Sequence, residues 1–263
     1  KVPAFLGLNF KGNHSVEADE WITKSNDEER GQKAGRWPVK MITDAGFAVI
    51  TIHCNDFDPD EDDGFKNGVH ALFSGERTGN SWGTIAGWAW GLSRALDHLG
   101  EVSEIDETKV AVIGHSRLGK TALWAGASDE RFAMVISNNS GCGGAALSKR
   151  KHGETVARIN QSFPHWFAGN FKKYGEKEED LPVDQHQLIA CVAPRPVYVA
   201  SASGDDWADP EGEFLALKGA ASVYELWKES AFPVESWPKP GEEVGTGLMH
   251  YHLREGKHDI TTW

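Results

Sequence analysis

Short apolar runs alternate along the chain with stretches whose apolar positions recur every three or four residues. Pro3 to Leu8 reads as a strand, and Arg30 to Ala45 as a helix. Phe47 to Ile52 is a continuous apolar run of the kind that parallel sheets bury on both faces. An acidic segment, Asp56 to Asp63, reads as a turn-rich surface loop, and Trp82 to Leu99 is a long amphipathic helix. Val110 to Ile113 and Phe132 to Ile136 are strands on either side of an Ala-rich helical stretch, Thr121 to Ser128. A polar, aromatic insertion follows, Lys149 to Tyr174 within a region of about 149–180. Asp184 to Val192 reads as a helix, Arg195 to Ala202 as a strand, Glu211 to Trp227 as a helix and Met249 to Arg254 as a final strand. Such alternation predicts an α/β fold, a three-layer sandwich around a mostly parallel, doubly wound sheet.

Between the strand Val110 to Ile113 and the helical stretch lies Gly114-His-Ser-Arg-Leu-Gly119, followed by Lys120. A serine between a buried strand and a helix, with glycines on both sides, has the form of a nucleophile elbow, which narrows the fold to an α/β hydrolase of one catalytic domain, 1–263. The tight turn strains the serine backbone and lifts its hydroxyl above the sheet, and glycines remove the side chains that would clash. The usual pattern is G-x-S-x-G; here Leu118 stands where glycine is expected and Gly119 comes one position late. Such a sheet normally has two or more strands before the one represented by Pro3 to Leu8, so either strands N-terminal to it are missing from this chain or Pro3 to Leu8 holds a different place in the strand order. The chain does not open on Met and has no charged-then-apolar leader, so a processed or trimmed form is expected.

Ser116 is the candidate nucleophile, against the plainer reading of an N-cap serine. A hydroxyl nucleophile needs a base, and the base an orienting acid, in the chain order Ser, acid, His. His258, just past the last strand, is the candidate base; His252, inside the strand, is read as a sheet residue. The acid belongs after the strand Arg195 to Ala202, where Asp205 leads and Asp206 is an alternative. Asp209, followed by Pro210 and an acidic turn, reads as a helix N-cap. The Arg117 N–H is the expected oxyanion donor, and Arg117 with Lys120 adds cations to the first turn of the elbow helix.

Composition narrows the partners. With 27 Lys and Arg against 39 Asp and Glu, the formal net charge of −12 argues against nucleic acid or an anionic membrane. No apolar run has the length of a bilayer span. Three widely spaced cysteines, Cys54, Cys142 and Cys191, fit no zinc pattern. The acidic loop fails the EF-hand spacing, because counting back from Gly64 puts Pro59 at the first ligand position. Eleven tryptophans is a high count; most belong to the core, but sugar-binding clefts also use exposed Trp, which mildly favours carbohydrate.

Gly114-His-Ser-Arg-Leu-Gly-Lys120 resembles the G-[CH]-S-R-x-G-K elbow of glucuronoyl esterases, carbohydrate esterase family fifteen, in which the late glycine is the family's own variant. Trp82-Gly-Thr-Ile-Ala86, Ser137 to Gly144, Gly153-Glu154-Thr155, Phe163-Pro-His-Trp-Phe167 and Trp207 to Glu213 are similar to its bacterial branch. The resemblance implies a secreted or periplasmic monomeric serine esterase, without cofactor or metal. Its substrates would be glucuronoxylan or small glucuronate esters, cleaved between (4-O-methyl-)glucuronic acid groups of xylan and lignin alcohols. It also implies that Ser116 is the nucleophile, His258 the base, and Arg117 an oxyanion residue through backbone and side chain. Lys120, Glu154 and Trp166 would contact the hydroxyls and face of the glucuronoyl ring. Fungal members carry their catalytic glutamate where this chain has Asn139, so the acid falls to Asp205. The rival readings are an acetyl-xylan or other esterase, and a carbohydrate-binding protein with a degraded triad.

Overall fold

The computed structural model describes residues 1–73, 75–227 and 232–262. Its elements in chain order are β1 (Val2–Asn9), α1 (Asn13–Val16), α2 (Val39–Asp44), β2 (Ala48–His53), α3 (Thr84–Leu99), β3 (Ile105–His115), α4 (Arg117–Ser128) and β4 (Met134–Asn138). Then come α5 (Val156–Ser162), α6 (Gln185–Ala190), β5 (Val197–Ala202), α7 (Pro210–Tyr224), β6 (Glu242–Thr246) and β7 (Met249–Arg254). Together they form an α/β-hydrolase fold on a seven-stranded sheet of order β2-β1-β3-β4-β5-β7-β6. All neighbours are parallel except β6, which runs antiparallel to β7.

The two faces of the sheet are covered unequally. Leu6, Val112, Val135, Val199 and Tyr251 are fully buried under α3, α4 and α7. The alternating residues Phe5, Ile113, Ile136, Tyr198 and His250 are only half-buried, since period-two alternation sends them to the opposite face. On that side α1 and α2 contact β2, and the segment at Ile260 and Thr261 lies beside Phe5, Ile113, Ile136 and Tyr198, so this layer is thin among the described residues.

Three elements differ from the sequence pattern. The Arg30 to Ala45 helix shrinks to α2, preceded by a short 3₁₀ turn at Ala34–Arg36. Pro38 is the reason: it pushes Trp37 out of the helical region (φ −131°, ψ 79°) and leaves α2 to start after it. The run Phe47 to Ile52 yields β2, an edge strand half-buried throughout rather than buried on both faces. β6 has no apolar run to mark it in the sequence, being Glu-Glu-Val-Gly-Thr.

Candidate active site

β3 ends at His115 and α4 begins at Arg117, which leaves Ser116 alone to make the turn. Its backbone sits at φ 60°, ψ −127°, a region that L side chains rarely adopt and that costs on the order of 1–3 kcal/mol. The turn is so tight that a Cβ on Gly114 would lie 1.9 Å from the Leu118 carbonyl oxygen. A Cβ on Gly119 would press at 3.0 Å on the Asn138 carbonyl oxygen. This explains the late glycine. The close approach to β4 falls at position 119, while position 118 points into the core and holds a buried leucine. Ser116 N–H donates to the Asn138 carbonyl at 2.9 Å, which ties the elbow to β4.

The loops after β5 and β7 meet above the elbow. Gly204 N–H donates to the Gly256 carbonyl, and Arg254 Nη2 donates to the carbonyls of Lys257 and Asp259, so the loop bearing His258 is held from both sides. His258 Nδ1 lies 2.6 Å from Asp205 Oδ2, and Asn139 Nδ2 donates to the same oxygen at 2.7 Å. Asp206 turns away: its side chain is 87% exposed and pairs with His152. The structure therefore brings Asp205 to the imidazole, and Asn139 becomes a donor that supports it. Burial pushes the Asp205 carboxyl up, but the hydrogen bond and charge of His258 and the Asn139 amide outweigh it, and the group rests below its usual range. His252 stays in the sheet, its Nδ1 3.0 Å from the Tyr198 hydroxyl. Asp209 caps α7 by accepting from the Gly212 N–H.

Ser116, Arg117 and His258 line one cavity of about 770 Å³, together with Asp60, Phe10 and Trp37. Among the described residues no hydrogen bond joins Ser116 Oγ to His258, a contact that commonly closes only with substrate in place. His115, next to Ser116, lies against the His258 ring with centroids 4.7 Å apart, and its Nδ1 contacts Asn138 Oδ1 at 2.7 Å. Burial, reinforced by the His258 charge, pulls His115 down to about 4, so it remains neutral beside a base that must become positive.

The residues expected to hold the sugar divide into two groups. Lys120 is buried, donates to the Ser140 carbonyl at 2.5 Å and faces Glu154 at 3.8 Å. Burial lowers its ammonium, against the Glu154 charge that raises it. Trp166 does not offer the open ring face that the resemblance implied: it is 3% exposed and stacks on Phe163 with centroids 3.7 Å apart. The Arg117 guanidinium lies 5.0 Å from its ring centre. A more exposed indole is Trp207, 49% exposed, with the Arg158 guanidinium 5.8 Å from its ring centre and its carbonyl accepting the Glu154 N–H at 2.9 Å. The sequence signal for Trp207 was its place two residues after Asp205. The loop read as a surface turn also enters the site: Asp60 pairs with Arg117 and accepts from Trp166 Nε1 at 2.7 Å. The insertion that carries Trp166 is anchored by its backbone, its His165 and Trp166 carbonyls accepting the Thr84 and Ile85 N–H groups at the start of α3.

Behind Asn139 lies a buried carboxylate that the sequence reading did not single out. Glu213 Oε1 accepts from the backbone N–H groups of Ser140 and Gly141, and Oε2 from the Ser201 hydroxyl. Burial raises its carboxyl to about 7, more than these hydrogen bonds lower it. A raised folded pKa favours the protonated form. The contribution to stability is therefore complete below the ordinary value of 4.5 and is lost as pH rises to about 7. Glu213→Gln should not show this loss: the stability gap between wild type and variant should shift by about 3 kcal/mol against wild type across that window. Urea unfolding of both proteins at several pH values measures it, and a gap independent of pH contradicts the assignment.

A family model described as glucuronyl esterase, fungi, matches residues 33–227. The chain is 50% identical over 282 residues to carbohydrate esterase MZ0003 from an unknown prokaryotic organism, covering 99% of this chain and 65% of that protein. It is 33% identical over 208 residues to 4-O-methyl-glucuronoyl methylesterase 1 of Wolfiporia cocos, covering 73% of this chain and 51% of that one. The solved glucuronoyl esterase from Solibacter usitatus superposes with a TM-score of 0.94 at 43% identity, over 99% of this chain and 70% of that chain. The chain thus spans between half and two thirds of the length of these two curated relatives.

Proposed function

The chain belongs to the glucuronyl esterase family, and from that premise we propose that it hydrolyses esters of glucuronic acid or its 4-O-methyl ether by a serine mechanism. The observation that carries this reading is the strained elbow serine sharing a cavity wall with His258, whose other nitrogen is bonded to the buried Asp205. Ser116 Oγ attacks the ester carbonyl while His258 Nε2 takes its proton. Asp205 holds the Nδ1–H and the imidazolium that forms. Negative charge developing on the carbonyl oxygen meets the Arg117 N–H, one of the unpaired donors of the α4 N-terminus, and the Arg117 guanidinium. His258 then protonates the departing alcohol. A water molecule, activated by the same base, cleaves the acyl-serine to release glucuronate and restore Ser116.

The buried Lys120–Glu154 pair supports a sugar with hydroxyls to bind, and the exposed Trp207 indole supports stacking on its C–H face. No helix among the described residues is long and apolar enough to cross a membrane. Secretion and action on glucuronoxylan, with lignin alcohols as leaving groups, follow in this reading from the polymer substrate.

Initial rates on methyl glucuronate, methyl galacturonate and an acetylated xyloside test the proposal. Faster turnover of the glucuronate is expected. Preference for the acetylated sugar would make the protein an acetyl esterase, and no turnover of any of the three would refute a serine esterase.

A further inference from the structure

Arg117 has one ion-pair partner among the described residues, Asp60, in the acidic loop that the sequence pattern assigns to the surface. The side chain of Asp60 is only 18% exposed, and it lines the same cavity wall as Ser116, Arg117 and His258. Its carboxylate has little freedom to turn. Oδ1 accepts from Trp166 Nε1 at 2.7 Å and lies 3.1 Å from His165 Nε2, both on the insertion, and Oδ2 is left to face Arg117 Nη1. Around the guanidinium stand three aromatic rings, Trp166 at 5.0 Å and Phe10 and Phe163 at 5.6 Å. They support a cation but impose no hydrogen-bond direction, whereas a carboxylate does.

We propose that Asp60 is a positioning residue that acts through Arg117, fixing its guanidinium beside the elbow where the ester oxyanion forms. The proposal rests on the oxyanion role given to Arg117 above. Two fixed donors set the rotation of the carboxylate, and the carboxylate sets the direction of Arg117 Nη1. Placing a donor in advance lowers the transition state without tightening the ground state, so its loss should appear in kcat rather than KM.

A double-mutant cycle on methyl glucuronate hydrolysis tests this, with wild type, Asp60→Asn, Arg117→Ala and the double variant. Asparagine keeps an oxygen for Trp166 and His165 but removes the charge that holds Arg117. The Asn variant should lose about tenfold in kcat with KM nearly unchanged, less than the roughly 10²-fold cost of deleting an oxyanion donor outright. In the Arg117→Ala background the same change should cost less than twofold. An equal loss in both backgrounds, or wild-type kcat in the single variant, overturns the proposal, and a lowered melting temperature with unchanged kcat marks Asp60 as structural only. If Asp60→Asn does not fold, Asp60→Glu, which keeps the charge but displaces it, should show the same background-dependent loss. If wild type does not cleave methyl glucuronate, the substrate reading fails. The cycle is then run on 4-nitrophenyl acetate, where lack of coupling, or an inert wild type, overturns the role of Asp60 as well.

Discussion

Ser116→Ala should abolish hydrolysis of methyl or benzyl glucuronate, with kcat falling on the order of 10⁵- to 10⁶-fold, as when the serine of a serine hydrolase is removed. The remaining oxyanion donors keep a trace of rate above water, but no other hydroxyl stands at the turn between β3 and α4. Residual activity within tenfold of wild type would displace the nucleophile from this elbow. Loss of folding cannot produce the expected result, because the backbone predicts the opposite trend for a second variant. At φ 60°, ψ −127° a glycine is relaxed where serine is strained. Ser116→Gly should therefore be as inactive as the alanine variant yet melt above wild type, by up to the 1–3 kcal/mol that such a conformation stores. Activity and thermal melting on the three proteins give the answer. A glycine variant that melts below wild type would show that the turn is not where the strain lies.

Much of the fold was legible in the chain because buried parallel strands carry apolar runs, as β1, β3, β4 and β5 do, while β7 shows itself by alternation, Met-His-Tyr-His-Leu-Arg. The elbow was legible for a local reason: its glycines, serine and helix are contiguous. What escaped the sequence depends on partners remote along the chain. The acidic loop reads as surface by composition, and only the fold brings Asp60 to Arg117, 57 residues on, and to Trp166, 106 residues on. Asn139 reads as a defect until its amide is seen donating to Asp205, 66 residues away. Trp166 and Trp207 are equivalent as letters. Packing separates them, since Phe163 stacks on the first and buries it while the second stays half exposed. The polar edge strand β6 and the break at Pro38 show the converse limit, where apolar periodicity is absent or misleads.

Asp205→Asn should lower kcat by about 10⁴-fold at neutral pH with little change in KM, while Asp206→Asn stays within twofold of wild type. The amide leaves the shape of the loop intact but no longer stabilises the imidazolium, and its NH₂ turned towards His258 Nδ1 would favour the wrong tautomer. Asn139 aggravates the loss. Its Nδ2 and His258 Nδ1 share one charged oxygen in the wild type, and in the variant they must share a neutral amide oxygen or, with the amide rotated, face its NH₂ in a buried site. The same geometry predicts a rescue. The 139 side chain reaches within 2.7 Å of the carboxylate oxygen behind His258, so exchanging the two types, Asn139→Asp with Asp205→Asn, returns one carboxylate and one amide to the cluster. The double variant should recover at least tenfold over Asp205→Asn alone, while Asn139→Asp alone should lower activity, since two carboxylates would share a site suited to one charge. Kinetics of the four proteins on methyl glucuronate decide it. A double variant no faster than Asp205→Asn would mean that the carboxylate must approach His258 from the β5 loop, and equal losses at 205 and 206 would remove Asp205 from the triad.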